Sequence, residues 1–176
     1  MSRYYGWDKI IPKAECERII DDFSNIEGYK GTQITEFYGK IFIRLVSLDS
    51  LVTKLIYGFA HEANDTLFHY EITDHEQMQF IQYAVDDRLQ YHQDLVYDGV
   101  EVAPVRKLSV SVLLSDPKDF EGGEFEMYGG FKEPTKPLKK QGSIVVFDSR
   151  DYHAVTPVTS GVRYSLVMWA TGPLFK

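Results

Sequence analysis

The chain has 176 residues, 44% hydrophobic and 26% charged, with a formal net charge of −7. That length suffices for one folded domain with a substantial core, and the negative balance excludes a dedicated nucleic-acid binder, whose phosphate contacts need a basic surface. The single cysteine, Cys16, excludes an internal disulfide, and neither a membrane-spanning run nor an apolar leader is visible, so the expectation is a soluble, cytoplasmic protein.

Taken in order, the first element is a helix. Pro12 suits a first helical turn, and Cys16, Ile19, Ile20 and Phe23 recur at helical spacing behind it. GKIFIRLVSL then reads as a strand, with Ile41, Ile43 and Leu45 alternating against Phe42 and Arg44. A second helix opens at Asp49 or Ser50 as its cap, presents Leu51, Leu55, Ile56 and Phe59 on one face, and runs out near Asn64 and Asp65.

From residue 67 the texture becomes β. LFHYEI, QFIQYAV, YHQDLVY, RKLSVSVLLS, GEFEMYG, GSIVVFDS and VRYSLVMWA are short β-prone runs, punctuated by Asp116-Pro117, Gly122-Gly123, Gly129-Gly130 and Gly142-Ser143. The pattern predicts a sandwich or barrel over about residues 67–172, buttressed by a helical part over about 10–65. No linker divides the chain, so residues 1–176 are expected to form a single domain. KEPTKPLKKQ reads as a solvated loop.

Chemistry enters with YHQD. In a strand, residues two apart project from one face, so His92 and Asp94 would be neighbours able to reach one ion. A third ligand is needed, and five histidines are available. His61 sits on the polar side of the second helix, His69 alternates with aromatics in a predicted strand, and His75 lies in a turn; each reads as a surface or packing histidine. His153 differs, because the apolar run Ile144 to Phe147 breaks into a polar loop that presents it. Two histidines and a carboxylate leave open coordination positions, which suits a non-haem Fe(II) oxygenase. A structural zinc site would need a closed shell.

VRYSLVMWA places Arg163, Ser165, Val167 and Trp169 on one face and Tyr164, Leu166 and Met168 on the other. Both faces are largely apolar, so Arg163 is expected at a buried surface with an anionic partner. That partner is either a protein carboxylate or the carboxylate of a cosubstrate, to which a planar guanidinium is well matched.

His-x-Asp, a distant His and then Arg ten residues later, in HAVTPVTSGVRYSLVMW, resemble the 2-oxoglutarate- and Fe(II)-dependent dioxygenases, in particular the prolyl 4-hydroxylase-like branch. QYAVDDRLQYHQD, RKLSVSVLLSDPKDFEGGEFEMYGG and GSIVVFDSRDYHAVTPVTSG are similar to that branch's signature segments, and the likeness spans roughly residues 10–172. The resemblance implies a double-stranded β-helix, or jelly roll. It implies that His92, Asp94 and His153 hold Fe(II), and that Arg163 pairs with the distal carboxylate of 2-oxoglutarate. Tyr83 matches a tyrosine that donates its hydroxyl to the cosubstrate. Ser165 is a candidate for a further hydrogen bond there, although Arg-x-Ser is more typical of other branches. Trp169 reads as packing on the barrel floor, Gly122 and Gly123 as a tight turn, and Glu124 is open between site and solvent.

The implied reaction couples oxidative decarboxylation of 2-oxoglutarate, with O2, to hydroxylation of a C–H bond, with ascorbate as a candidate accessory. The implied substrate is a proline in a peptide or protein, and the implied assembly a monomer or weak homodimer. Residues 29–40 and 85–91 are candidate lids. A small-molecule or other side-chain hydroxylase would use the same residues. A nucleic-acid demethylase of the superfamily would carry a second arginine later in the final strand, where this chain has none. A non-catalytic cupin-like module and a zinc hydrolase remain as alternatives of another class.

Overall fold

The structure, a computed structural model, describes residues 4–30, 41–95, 104–128, 130 and 132–175. After strand β1 (Tyr4–Trp7), helix α1 (Lys13–Ser24) follows Pro12 as expected and buries Cys16 and Ile19. Strands β2 (Tyr29–Lys30) and β3 (Phe42–Leu45) lead to helix α2 (Leu51–Ala63), whose cap is Ser50, accepting the Thr53 amide at 3.0 Å.

The apolar face of α2 is the expected one only in part: Ile56 is buried and Phe59 packs on Trp7 at 4.8 Å, but the face is rotated. Val52, Thr53, Ile56, Ala60 and Ala63 are buried, while Leu51 is 84% and Leu55 49% exposed. The helix carries two apolar stripes, and the one with small residues seats against the sheet, where alanines allow the backbones to approach closely.

LFHYEI is not a strand. α2 runs into a π-helical turn (Asn64–Phe68) capped by His69 in the left-handed region, φ 59°. The Asn64 amide then bonds both the Tyr70 carbonyl, 2.9 Å, and the Tyr70 amide, 2.8 Å, taking the groups a neighbouring strand would have used. His69 is exposed. His75 lies in the short strand β4 (Asp74–His75) rather than a turn, and both it and His61 pack on the Tyr57 ring.

The remaining strands are β5 (Gln79–Tyr83), β6 (Leu89–His92), β7 (Val105–Leu113), β8 (Phe120–Gly122), β9 (Phe125–Met127), β10 (Ile144–Asp148), β11 (His153–Val155), β12 (Val158–Gly161) and β13 (Arg163–Gly172). The larger sheet runs β1-β10-β7-β13-β5-β3-β2, with β4 also on β13. Facing it are β6-β11-β9 and the pair β12-β8. All pairings are antiparallel. This is the expected jelly roll.

The central strands of the larger sheet, β5, β7, β10 and β13, are covered on both faces. Phe80, Leu108, Val110, Val146, Leu166 and Met168 point into a core shared with α1 and α2. Ile81, Tyr83, Leu113, Val145 and Phe147 point the other way, toward Phe125, Met127, Val155 and Val158 of the smaller sheets. Strand alternation thus sends one set of side chains to the helices and the other to the interior between the sheets.

Candidate functional site

The interior between the sheets opens into a cavity of about 660 Å³. His92, Asp94 and His153 line it, with one ligating atom of each lying within 4.8 Å of the others. The pleat does not create this cluster as expected: β6 ends at His92, and Asp94 follows in a bend outside the strand. The bend is set by the Ser149 carbonyl, which accepts the amides of both Asp94 and Leu95 at 2.9 Å. His153 comes from the adjacent strand as the register partner of His92, and the two rings lie 4.3 Å apart.

Each histidine is tied by its Nδ1 to the carbonyl two residues before it. His92 donates to Gln90 O at 2.8 Å and His153 to Asp151 O at 3.1 Å. Nδ1 then carries the proton, and the Nε2 lone pairs point at the carboxylate, each 3.4 Å from an Asp94 oxygen. Asp94 also accepts from the buried Ser109 hydroxyl at 2.6 Å, which lies 2.9 Å from Ser149 Oγ.

The electrostatics match a ligand set. Burial opposes ionisation of Asp94, but His153, His92 and Ser109 outweigh it and hold the carboxyl well below its usual range. Burial depresses the His153 imidazole, which stays neutral with its lone pair available. At His92 burial acts in the same direction, yet the contacts with Asp94 prevail and the value rises.

β13 supplies the opposite wall. Arg163, Ser165, Val167 and Trp169 line the cavity, on the face expected for them. Arg163 is 1% exposed, and its Nε and Nη1 have no hydrogen-bond partner. Among the described residues no carboxylate pairs with it; its neighbour is the Tyr83 ring, 5.1 Å from the guanidinium carbon. Burial raises the Tyr83 phenol, against the opposing influence of Arg163, so the hydroxyl remains a donor. Ser165 Oγ and Trp169 Nε1 are likewise buried without a hydrogen-bond partner. Unpartnered donors clustered on one cavity wall suit an anionic ligand with several acceptor oxygens.

Gly122 and Gly123 form the expected turn, with φ of 69° and 57°. A Cβ on Gly123 would lie 3.0 Å from Arg163 Cδ, so this glycine gives the guanidinium its room. Glu124 faces water and pairs with Lys136 at 2.5 Å. Trp169 lines the cavity instead of only packing its floor. Arg106 lies 3.7 Å over its indole and is held by two 2.6 Å bonds to Glu76. Of the candidate lids, Tyr29 and Lys30 line the cavity mouth, while residues 31–40 lie outside the described residues. Within 85–91, Leu89 reaches the cavity.

Arg106, Ser109 and Ser149 are site residues the sequence reading missed. The signal for Ser109 was the alternation in RKLSVSV, where serines recur on one face of an otherwise apolar strand; Arg106 and Ser149 carried no such mark.

The sequence model of the 2OG-Fe(II) oxygenase superfamily matches residues 78–171, more than half of the chain. A PKHD-type hydroxylase from Hyphomonas neptunium is 44% identical over 62 residues, covering 35% of this chain and 27% of the relative. The chain therefore matches well under half the length of that relative. The viral collagen prolyl hydroxylase from Paramecium Bursaria Chlorella virus-1, solved as a 2OG complex, superposes with a TM-score of 0.75 at 19% identity, covering 96% of both chains. A prolyl hydroxylase from Trichoplax adhaerens, solved with a hypoxia inducible factor oxygen degradation domain peptide fragment, gives 0.75 at 16% identity, covering 96% of this chain and 83% of the other. At these identities the structural likeness establishes the fold, and the match over residues 78–171 establishes the family: the chain belongs to the 2OG-Fe(II) oxygenase superfamily.

Proposed function

We propose that this chain is a 2-oxoglutarate-dependent Fe(II) dioxygenase that hydroxylates proline in a peptide or protein. The observation that carries the reading is the buried Arg163 guanidinium, without a carboxylate partner among the described residues, in the same cavity as the His92, Asp94 and His153 cluster. A structural arginine would have a protein anion beside it, whereas an arginine awaiting a dicarboxylate would not.

In this reading His92, Asp94 and His153 hold Fe(II) through their Nε2 and carboxylate atoms. Arg163 receives the distal carboxylate of 2-oxoglutarate, with Tyr83 and Ser165 as hydroxyl donors. The metal and cosubstrate supply the oxidising chemistry with O2. The protein's own residues orient and enclose. Nδ1 ties fix the tautomer of both imidazoles and aim them, Ser109 fixes the Asp94 carboxylate, and Phe125 and Phe147 flank His153 at 5.7 and 4.7 Å, walling it from water. Residues 1–176 act as one dioxygenase domain in this reading, with the helical part supporting the barrel.

A peptidyl proline as substrate is supported by what the relatives are called, PKHD-type and prolyl hydroxylases, and by the peptide held in the Trichoplax structure. Among the described residues no helix is long and apolar enough to cross a membrane. A cytoplasmic monomer or weak homodimer completes the reading. The test is to incubate the chain with Fe(II), ascorbate, 2-oxoglutarate and proline-rich peptides, then to measure succinate and gain of one oxygen atom on proline. Succinate release with hydroxylation only of free amino acids or other side chains would replace the substrate. No 2-oxoglutarate turnover with any of them, and no anaerobic metal-to-ligand absorption band, would overturn the activity.

A further inference from the structure

Ties to two of the three candidate ligands, and to the residue between His92 and Asp94, converge on a turn, residues 148–151, that contains none of the ligands. Its Ser149 carbonyl holds the amide of Asp94, and its Ser149 hydroxyl reaches the Asp94 carboxylate through Ser109. Its Asp151 carbonyl holds His153 Nδ1. Its Arg150 carbonyl accepts the side-chain amide of Gln93, the residue between His92 and Asp94.

The turn is fixed from outside the cavity by the Arg150 side chain. The guanidinium grips Asp148 through Nε at 2.9 Å and Nη2 at 2.6 Å, and bonds the Tyr70 hydroxyl at 2.8 Å. Tyr70 in turn donates to Asp148. Phe175 closes the group, with Arg150 4.1 Å and Lys107 3.6 Å from its ring centroid and Tyr70 edge-on at 5.3 Å. A lone exposed ion pair would matter little. A forked pair locked between two aromatic rings restricts the turn's backbone far more.

We propose that Arg150, held by Asp148, Tyr70 and Phe175, is a positioning residue for the metal, setting the geometry of Asp94 and His153 from outside the cavity. The inference rests on the iron reading above. Outer partners of metal ligands typically change affinity about 10–100-fold. Arg150 acts one residue further out, so the lower end applies.

The test titrates Co(II) into the full chain and follows heat and visible absorption, alongside thermal unfolding. In Arg150→Ala, Co(II) binds about tenfold more weakly and its absorption envelope changes, with Phe175→Leu shifted the same way. Arg18→Ala, which removes an exposed arginine paired only within α1 to Glu15 and Asp22, leaves Co(II) binding at the wild-type value. Wild-type affinity and spectrum in Arg150→Ala overturn the inference, even if its unfolding temperature falls, because a merely structural clamp would do only that. Should Arg150→Ala not fold, Phe175→Leu, which keeps the turn's own hydrogen bonds, decides on the same criteria. A wild-type chain that binds no Co(II) overturns the iron reading itself, and this inference with it.

Discussion

Arg163 and Tyr83 are register partners across the β5–β13 ladder, each 1% exposed, with the guanidinium carbon 5.1 Å from the phenol ring centroid. A cation so placed has a π face beside it but no counter-charge among the described residues, and burial works against its charged form. In the proposed reading the free chain therefore holds a destabilising group that the cosubstrate carboxylate compensates.

Replacing that group should reveal its two sides. Without cosubstrate, Arg163→Met is expected to be more stable than wild type by roughly 1–3 kcal/mol, the usual cost of a buried polar group lacking its partner. At about a hundredfold excess over its dissociation constant, 2-oxoglutarate should stabilise wild type by about 2.7 kcal/mol and the variant not at all. Thermal melts with and without the ligand measure both effects. Equal ligand shifts in the two proteins would remove Arg163 from the binding site.

Metal dependence follows from the ligand cluster. Mn(II) or Co(II) should raise the unfolding temperature of wild type, and a chelator should reverse the rise. His153→Ala and Asp94→Ala should show neither response. A metal-induced rise that survives in His153→Ala would place the ion elsewhere.

Asp148 gives a pH signature. Its burial opposes ionisation, but the bonds from Arg150 and Tyr70 prevail and its folded value lies below the ordinary one. A depressed carboxyl contributes stability above its unfolded value, about 3.9, and loses it as pH falls through the folded value. Asp148→Asn should thus cost most near neutral pH, and the gap in unfolding temperature should narrow as pH falls from about 5 to 3. A gap constant over that range would contradict the charge-based account.

Cys16 is buried on α1, and burial pushes its thiol up to about 11. It should resist a thiol-reactive dye in native buffer at neutral pH and react promptly once urea unfolds the chain. Rapid native labelling would mean that α1 detaches locally.

Much of this was legible in the residues because strand alternation is local. The two-faced pattern of VRYSLVMWA gave the orientation of β13, and the polar break before His153 marked where a strand brings that histidine to the cavity. What failed was decided by hydrogen bonds that strand periodicity does not encode. Asn64 bonds Tyr70 and turns LFHYEI away from a strand, and Ser149 sets the Asp94 bend from 55 residues further along the chain. The face of α2 could not be chosen from its periodicity, because two apolar stripes compete and only contact with the sheet selects one.

β13 is laddered on both edges at once, residues 163–167 to β5 and residues 165–172 to β7. Its side chains alternate between the cavity and the helix-side core, so a shift by one residue would thrust Arg163 toward Phe80 in that core and turn Tyr164 into the cavity. Such a shift would have to break both ladders together. The site is consequently digital: correct registration delivers the whole wall of donors, and any misregistered chain carries none of it while also forfeiting its core. Quality control of folding and quality control of the cavity wall are the same event in this protein, and properly folded but miswired molecules should not accumulate.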